Sequence, residues 1–172
     1  MDINASYSED ALDVTKITNR WDLYFYNIAR EVSKQSRCLS RQIGCVLVKD
    51  RSIVTTGYNG PPRGVLDCST RSTKKGVCPR RAKGFNSGDG LHLCNAAHAE
   101  VNAIVNVARL GGTSTIGTTL FLTCGIPCKN CLGLIINAGI AELVVTNVGR
   151  YDFLSGWMLE TGTHEIIVRT YL

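Results

Sequence analysis

Apolar residues recur along this chain in two periods, and the switches between them mark its elements. Over residues 21–34 (WDLYFYNIAREVSK) they fall at helical spacing, which predicts an amphipathic helix. Two short runs rich in β-branched residues follow, 43–49 (IGCVLVK) and 52–58 (SIVTTGY), separated only by Asp50 and Arg51. Such runs around a tight polar turn predict a β-hairpin. Residues 60–94 lose all periodicity: GPPRGV, a basic run, then GFNSGDG. Long loops inside a domain are uncommon unless something pins them or function requires them.

Helical spacing resumes over 98–110 and stops at Gly111-Gly112. A strand is predicted over 118–123, a helix from Pro127 to about 137 ended by Ala138-Gly139, and a strand over 142–146. A helix over 153–161 and a last strand over 165–169 complete the series. This order implies one layered α/β domain over 1–172 with an insertion at about 60–94. Its central sheet should hold one antiparallel hairpin and parallel strands thereafter.

Composition narrows the classes. With 172 residues, 44% hydrophobic and 19% charged, the chain can build a core without disulfides. The formal charge of +5 suits anionic partners such as phosphates but is too small to require a nucleic-acid polymer. Residues 132–148 are greasy, yet Asn137, Gly139 and Glu142 interrupt them, so no membrane span is expected. Residues 1–16 carry Asp2, Glu9, Asp10 and Asp13 and do not read as a secretory signal, which leaves a cytoplasmic location as the expectation. In such a compartment the eight cysteines point to metal binding or burial instead of disulfides. Cys45 and Cys124 lie in apolar, strand-like runs and read as core residues.

Two pieces of sequence carry chemistry: His98-Ala99-Glu100 and Pro127-Cys128-Lys129-Asn130-Cys131. Each opens a predicted helix, where free N–H groups and partial positive charge favour thiolates. Cys128 and Cys131 share one face of a first turn and can grip one ion. One His and two Cys make three zinc ligands and leave the fourth position for water, which is a catalytic arrangement and not a closed structural one. Zinc brings the pKa of bound water to about 7. A carboxylate beside that water, Glu100, can shuttle its proton to a ring nitrogen and then to a departing amine. This is the H-x-E…P-C-x-x-C signature of zinc-dependent base deaminases.

GYNGPP (57–62), HAEVNAI (98–104), TLFLTCGIPCKNC (119–131) and INAGI (136–140) together resemble the cytidine deaminase-like superfamily and, within it, the deoxycytidylate (dCMP) deaminases. The resemblance covers about 21–145. It implies a three-layer α/β/α sandwich with a central five-stranded mixed sheet. It implies zinc-dependent hydrolysis of dCMP to dUMP and ammonia, supplying dUMP for thymidylate synthesis. His98, Cys128 and Cys131 match the zinc ligands and Glu100 the proton shuttle. Asn59 matches a residue holding the sugar, with a positive-φ turn asparagine as its plain alternative, and Tyr151 an aromatic residue near the deoxyribose, with core packing as its alternative. A second, structural zinc is implied, with Cys38, Cys68, Cys78 and Cys94 as candidates and His92 as a substitute. Also implied are a homohexamer and control by dCTP and dTTP, with magnesium a companion of such a triphosphate. Arg109 is a candidate effector contact, or simply a complement to its helix dipole.

Basic residues cluster in the insertion at Arg63, Arg71, Lys74, Lys75, Arg80, Arg81 and Lys83, with Arg37 and Arg41 just before the hairpin. Arg41 is the first candidate for a substrate phosphate. Two rivals stand beside this reading. One is a deaminase of the same fold acting on tRNA adenosine, free cytidine or a riboflavin or pterin precursor. The other is a non-catalytic, zinc-stabilised nucleic-acid-binding module, although a structural site has no need of Glu100.

Overall fold

The computed structural model describes residues 14–16, 19–86 and 88–171. Among them one sheet is built from β1 (Val14–Lys16), β2 (Gly44–Lys49), β3 (Ser52–Tyr58), β4 (Thr119–Leu122), β5 (Glu142–Val145) and β6 (Ile167–Thr170). Their order across the sheet is β1-β6-β5-β4-β2-β3. β2 is antiparallel to both neighbours, while β4, β5, β6 and β1 run parallel, so the sheet is mixed as expected. The five expected strands are all present. The sixth, β1, adds three residues to the edge beside β6, in a stretch where the sequence predicted no element. The acidic residues Asp2, Glu9, Asp10 and Asp13 lie outside the described residues.

Alternation along the strands sorts the core into two layers. Cys45 and Leu47 of β2, Leu120 and Leu122 of β4, and Leu143 and Val145 of β5 point to one face. There they meet α4 (Ala99–Leu110) through Ala99 and Ala103, and α5 (Lys129–Asn137) through Leu132 and Ile135. Met158 and Leu159 of α6 (Phe153–Thr161) pack on the same layer. Val46, Val48, Phe121 and Val144 point the other way and are covered by Phe25 and Ala29 of α1 (Arg20–Ser33). Removing one of these fully buried leucines, as in Leu120→Ala, would cost about 2–5 kcal/mol.

The hairpin turn places Asp50 at φ 49° and Arg51 at φ 59°. Two successive left-handed residues match the right-handed twist of the paired strands, at a strain cost that falls more on Arg51 than on Asp50. A second long-range tie crosses the sheet edge. Arg169 of β6 reaches both Asp22 of α1 and Glu142 of β5, the latter at 2.8 Å.

The insertion holds only short pieces: α2 (Cys68–Arg71), α3 (Pro79–Ala82) and a 3-10 turn at Leu91–Leu93. It is pinned, as its length required. Gly60 and Ala97 exchange backbone hydrogen bonds of 3.1 and 2.8 Å at its neck. Inside it, Arg71 donates to the Leu93 carbonyl at 2.6 Å and Asn95 to the Leu66 carbonyl at 3.0 Å.

Candidate active site

α4 and α5 start side by side, and the residues the sequence singled out stand at those starts. His98 is the N-cap of α4 and Cys128 the N-cap of α5. Extended backbone at both caps turns the side chains over the helix ends, toward each other. His98 Nδ1 lies 3.5 Å from Cys128 Sγ and 3.3 Å from Cys131 Sγ. The donor atoms of His98, Cys128 and Cys131 all fall within 4.8 Å of one another. A nitrogen and two sulfurs at such separations fit zinc, which takes this donor set.

The charges of the cluster are tuned by the same contacts. The bond from the Cys131 thiol, opposed by burial and aided by His98, brings the Cys128 thiol down to about 4. That bond, together with burial, pushes the Cys131 thiol up, so the pair shares one proton. The contact with Cys128 raises the His98 imidazole despite its partial burial, and Glu100 helps. Glu100 is only 4% exposed, and burial raises its carboxyl above the usual range while His98 pulls it back. A buried carboxyl raised in this way binds its proton more tightly than an exposed one, which suits a group that must hand a proton on.

Above these groups opens a cavity of about 340 Å³, within the range of small-molecule sites. His98, Glu100 and Cys128 line it, and so do Arg41, Asn59 and Tyr151. These six sequence-predicted residues thus share one wall system with the buried Cys131 behind it. Asn59 does not have positive φ, so the turn-asparagine alternative does not describe it. Its Oδ1 accepts from the Ile43 N–H at 2.8 Å and its Nδ2 donates to the Arg41 carbonyl at 2.9 Å. This buried amide clamps the segment that carries Arg41. Tyr151 is 42% exposed and stands at the cavity, so core packing does not describe it.

Other expectations come out differently. Cys45 is in the core, but Cys124 is half-buried and lines the cavity, where burial and the nearby Glu100 push its thiol to about 12. Cys68 and Cys78 are buried within the insertion, and Cys38 and Cys94 are half-buried at the cavity. Among the described residues, no three donors from this second group come within 4.8 Å of one another. His92 is exposed and set edge-on against Phe85 instead. Arg109 is exposed in the last turn of α4 and is not part of the cavity.

Some participants were invisible to sequence reasoning. Asp152 caps two helices at once, accepting from the Lys129 N–H at 2.9 Å and the Ser155 N–H at 2.8 Å. It thereby fixes the loop of Tyr151 to the first turn of α5. An Asp three residues before a Ser at a helix start signals only the cap on α6. Arg80, from the insertion, also lines the cavity, and nothing separated it from its basic neighbours in the sequence.

Comparison with known proteins agrees with this geometry. Residues 19–147 match the family described as the cytidine and deoxycytidylate deaminase zinc-binding region. The deoxycytidylate deaminase of Mycobacterium phage D29 is 40% identical over 129 residues, covering 72% of this chain and 92% of its own. That of Schizosaccharomyces pombe is 36% identical over 136 residues, covering 78% of this chain, which spans only 39% of the yeast protein's length. A solved structure of the dCMP deaminase from cyanophage S-TIM5, in complex with dCMP and dUMP, superposes with a TM-score of 0.65 at 25% identity over 88% of this chain and 98% of that one. The match over 19–147, with the His-x-Glu and Cys-x-x-Cys pieces converging on one point, means that this chain belongs to the cytidine and deoxycytidylate deaminase zinc-binding family.

Proposed function

We propose that the chain converts dCMP and water to dUMP and ammonia. The observation that carries this reading is the buried Glu100 carboxyl beside the His98, Cys128 and Cys131 donors at a cavity of nucleotide size. His98, Cys128 and Cys131 would hold zinc. When bound, that ion supplies the Lewis acidity that makes water a nucleophile at neutral pH. Glu100 accepts the proton released as the water oxygen bonds to C4 of the cytosine, and it passes that proton to N3. It then carries the second proton from the same oxygen to the amine as the C4–N4 bond breaks. Burial favours the protonated carboxyl, which is the form that must donate.

Asn59 supports the nucleotide indirectly by holding the Arg41 backbone, and Tyr151 offers a ring against the sugar. The deoxycytidylate deaminases of a phage and of yeasts, and the bound dCMP of the cyanophage protein, favour a deoxynucleotide substrate. The same reading carries a cytoplasmic location, a homohexamer and control by dCTP and dTTP, with magnesium accompanying the triphosphate and Arg109 as one contact. It also carries a structural zinc drawn from Cys38, Cys68, Cys78 and Cys94. Cys38 and Cys78 both lie near enough to Cys68 for their charges to act on its thiol, which supports a shared site for these side chains.

Ammonia release tests the reading directly. The zinc-loaded protein is incubated separately with dCMP, CMP, dCTP, deoxycytidine and adenosine-containing tRNA. Highest kcat/KM on dCMP is expected. Release from tRNA or from the nucleoside alone moves the chain to another deaminase of this fold, and release from none of them favours the binding module.

A further inference from the structure

Arg80 is 7% exposed, and among the described residues no carboxylate pairs with it. An arginine stays protonated in a protein, so burying one without a counter-charge is costly. Its Nη1 donates to two backbone carbonyls, those of Asn86 at 3.5 Å and of Asp89 at closer range. Its Nε is buried with no partner. Buried donors are nearly always satisfied, and one that is not calls for an explanation. The same residue lines the cavity that holds His98 and Glu100. The loop whose carbonyls hold it passes over the Tyr151 hydroxyl, since a Cβ on Gly88 would stand 3.6 Å from that oxygen. Two carbonyls and the Cys78 thiol fix the orientation of the fork, and no carboxylate among the described residues balances its charge.

The geometry points to Arg80 as the specificity-determining residue that binds the 5′-phosphate of the substrate, a buried cation presented by the insertion and completed only when a phosphate monoester dianion enters the cavity. This rests on the function proposed above and deepens it. A guanidinium pairs with phosphate through two parallel hydrogen bonds, which gives direction as well as charge. The cavity would then read its ligand at both ends, the base at Glu100 and the phosphate at Arg80. Arg41, exposed at the same cavity, adds a solvent-screened charge to the site.

The test compares wild type with Arg80→Lys, Arg80→Gln and Arg80→Met in zinc-loaded protein. The quantity read is the ratio of kcat/KM for dCMP to kcat/KM for deoxycytidine. The ratio is expected to fall at least tenfold in Arg80→Gln and Arg80→Met. In Arg80→Lys it should fall less, because the charge remains while the fork is lost. A second readout needs no turnover: inorganic phosphate should raise the Tm of wild type and raise that of Arg80→Gln much less. A merely structural guanidinium, held in place by the two carbonyls and the Cys78 thiol it touches, would lower both specificity constants together and leave the ratio unmoved. An unmoved ratio with an intact phosphate effect on Tm overturns the assignment of Arg80. If Arg80→Met does not fold, Arg80→Lys and Arg80→Gln carry the same comparison. Loss of the proposed function itself looks different, because wild type would then release ammonia from neither substrate or show no preference for dCMP.

Discussion

Gly57 of β3 lies so close to Ala99 of α4 that a Cβ on Gly57 would stand 2.2 Å from the Ala99 carbonyl oxygen and 2.6 Å from the Ala103 nitrogen. Both are backbone atoms, which cannot swing aside as a side-chain end could. The contact sets where α4 begins, and therefore where His98 and Glu100 stand. Gly57→Ala must push strand and helix apart, and overpacking of this kind costs about 1–3 kcal/mol. For a chain of this size each kcal/mol lowers Tm by roughly 2–4 °C. Thermal denaturation should show that loss, and metal analysis should show less zinc per chain. Parental values for both would mean that other contacts place α4.

Glu100 should be needed for turnover and not for the metal. Glu100→Gln keeps the shape of the side chain but cannot take up a proton. The variant should fold and hold about one zinc at His98, Cys128 and Cys131. Loss of general acid–base help costs about 10²–10⁴-fold, and a group used twice in one reaction belongs at the upper end. Ammonia release from the zinc-loaded variant at near-normal rate would sink the assignment.

Arg41 is exposed, so its attraction for a phosphate is screened by solvent and salt. Arg41→Ala should lower kcat/KM for dCMP relative to deoxycytidine by several-fold, in line with about 1 kcal/mol for an exposed charge. The difference from wild type should shrink as ionic strength rises. A salt-independent loss would place Arg41 in a dry contact that its exposure contradicts.

Asn59 tests a structural claim beside the chemical ones. Asn59→Ala leaves the Ile43 N–H and the Arg41 carbonyl without their partners. Leaving a buried polar group unpaired costs about 1–3 kcal/mol, so Tm should fall clearly. The KM for dCMP should rise as the Arg41 segment loosens. Unchanged stability would mean that water replaces the amide.

A structural zinc under the insertion predicts about two zinc ions per chain, against about one without it. Cys68→Ser and Cys94→Ser should then lower Tm before they reduce turnover. One zinc in wild type, with both variants as stable as the parent, would remove the second site.

Much of the machinery was legible in one dimension because it is local. His98-Ala99-Glu100 and Pro127-Cys128-x-x-Cys131 each sit on a single helix start, where spacing alone decides which side chains share a face. Period-two alternation likewise marks Cys45 and Leu47 against Val46 and Val48 without reference to anything distant. By itself, then, the sequence determined the five strands of the expected sheet, the helices on its faces, the convergence of His98, Cys128 and Cys131, and the Glu100 carboxyl beside them. Tertiary structure decided the rest. β1 is three residues long and exists through pairing with β6, from the far end of the chain. Arg169 joins Glu142 to Asp22, which lies 147 residues away in sequence. Arg80 was one basic residue among seven in the insertion until the fold buried it at the cavity. The physical reason is common to all three: desolvation and pairing depend on which distant atoms surround a group. No local spacing encodes those surroundings.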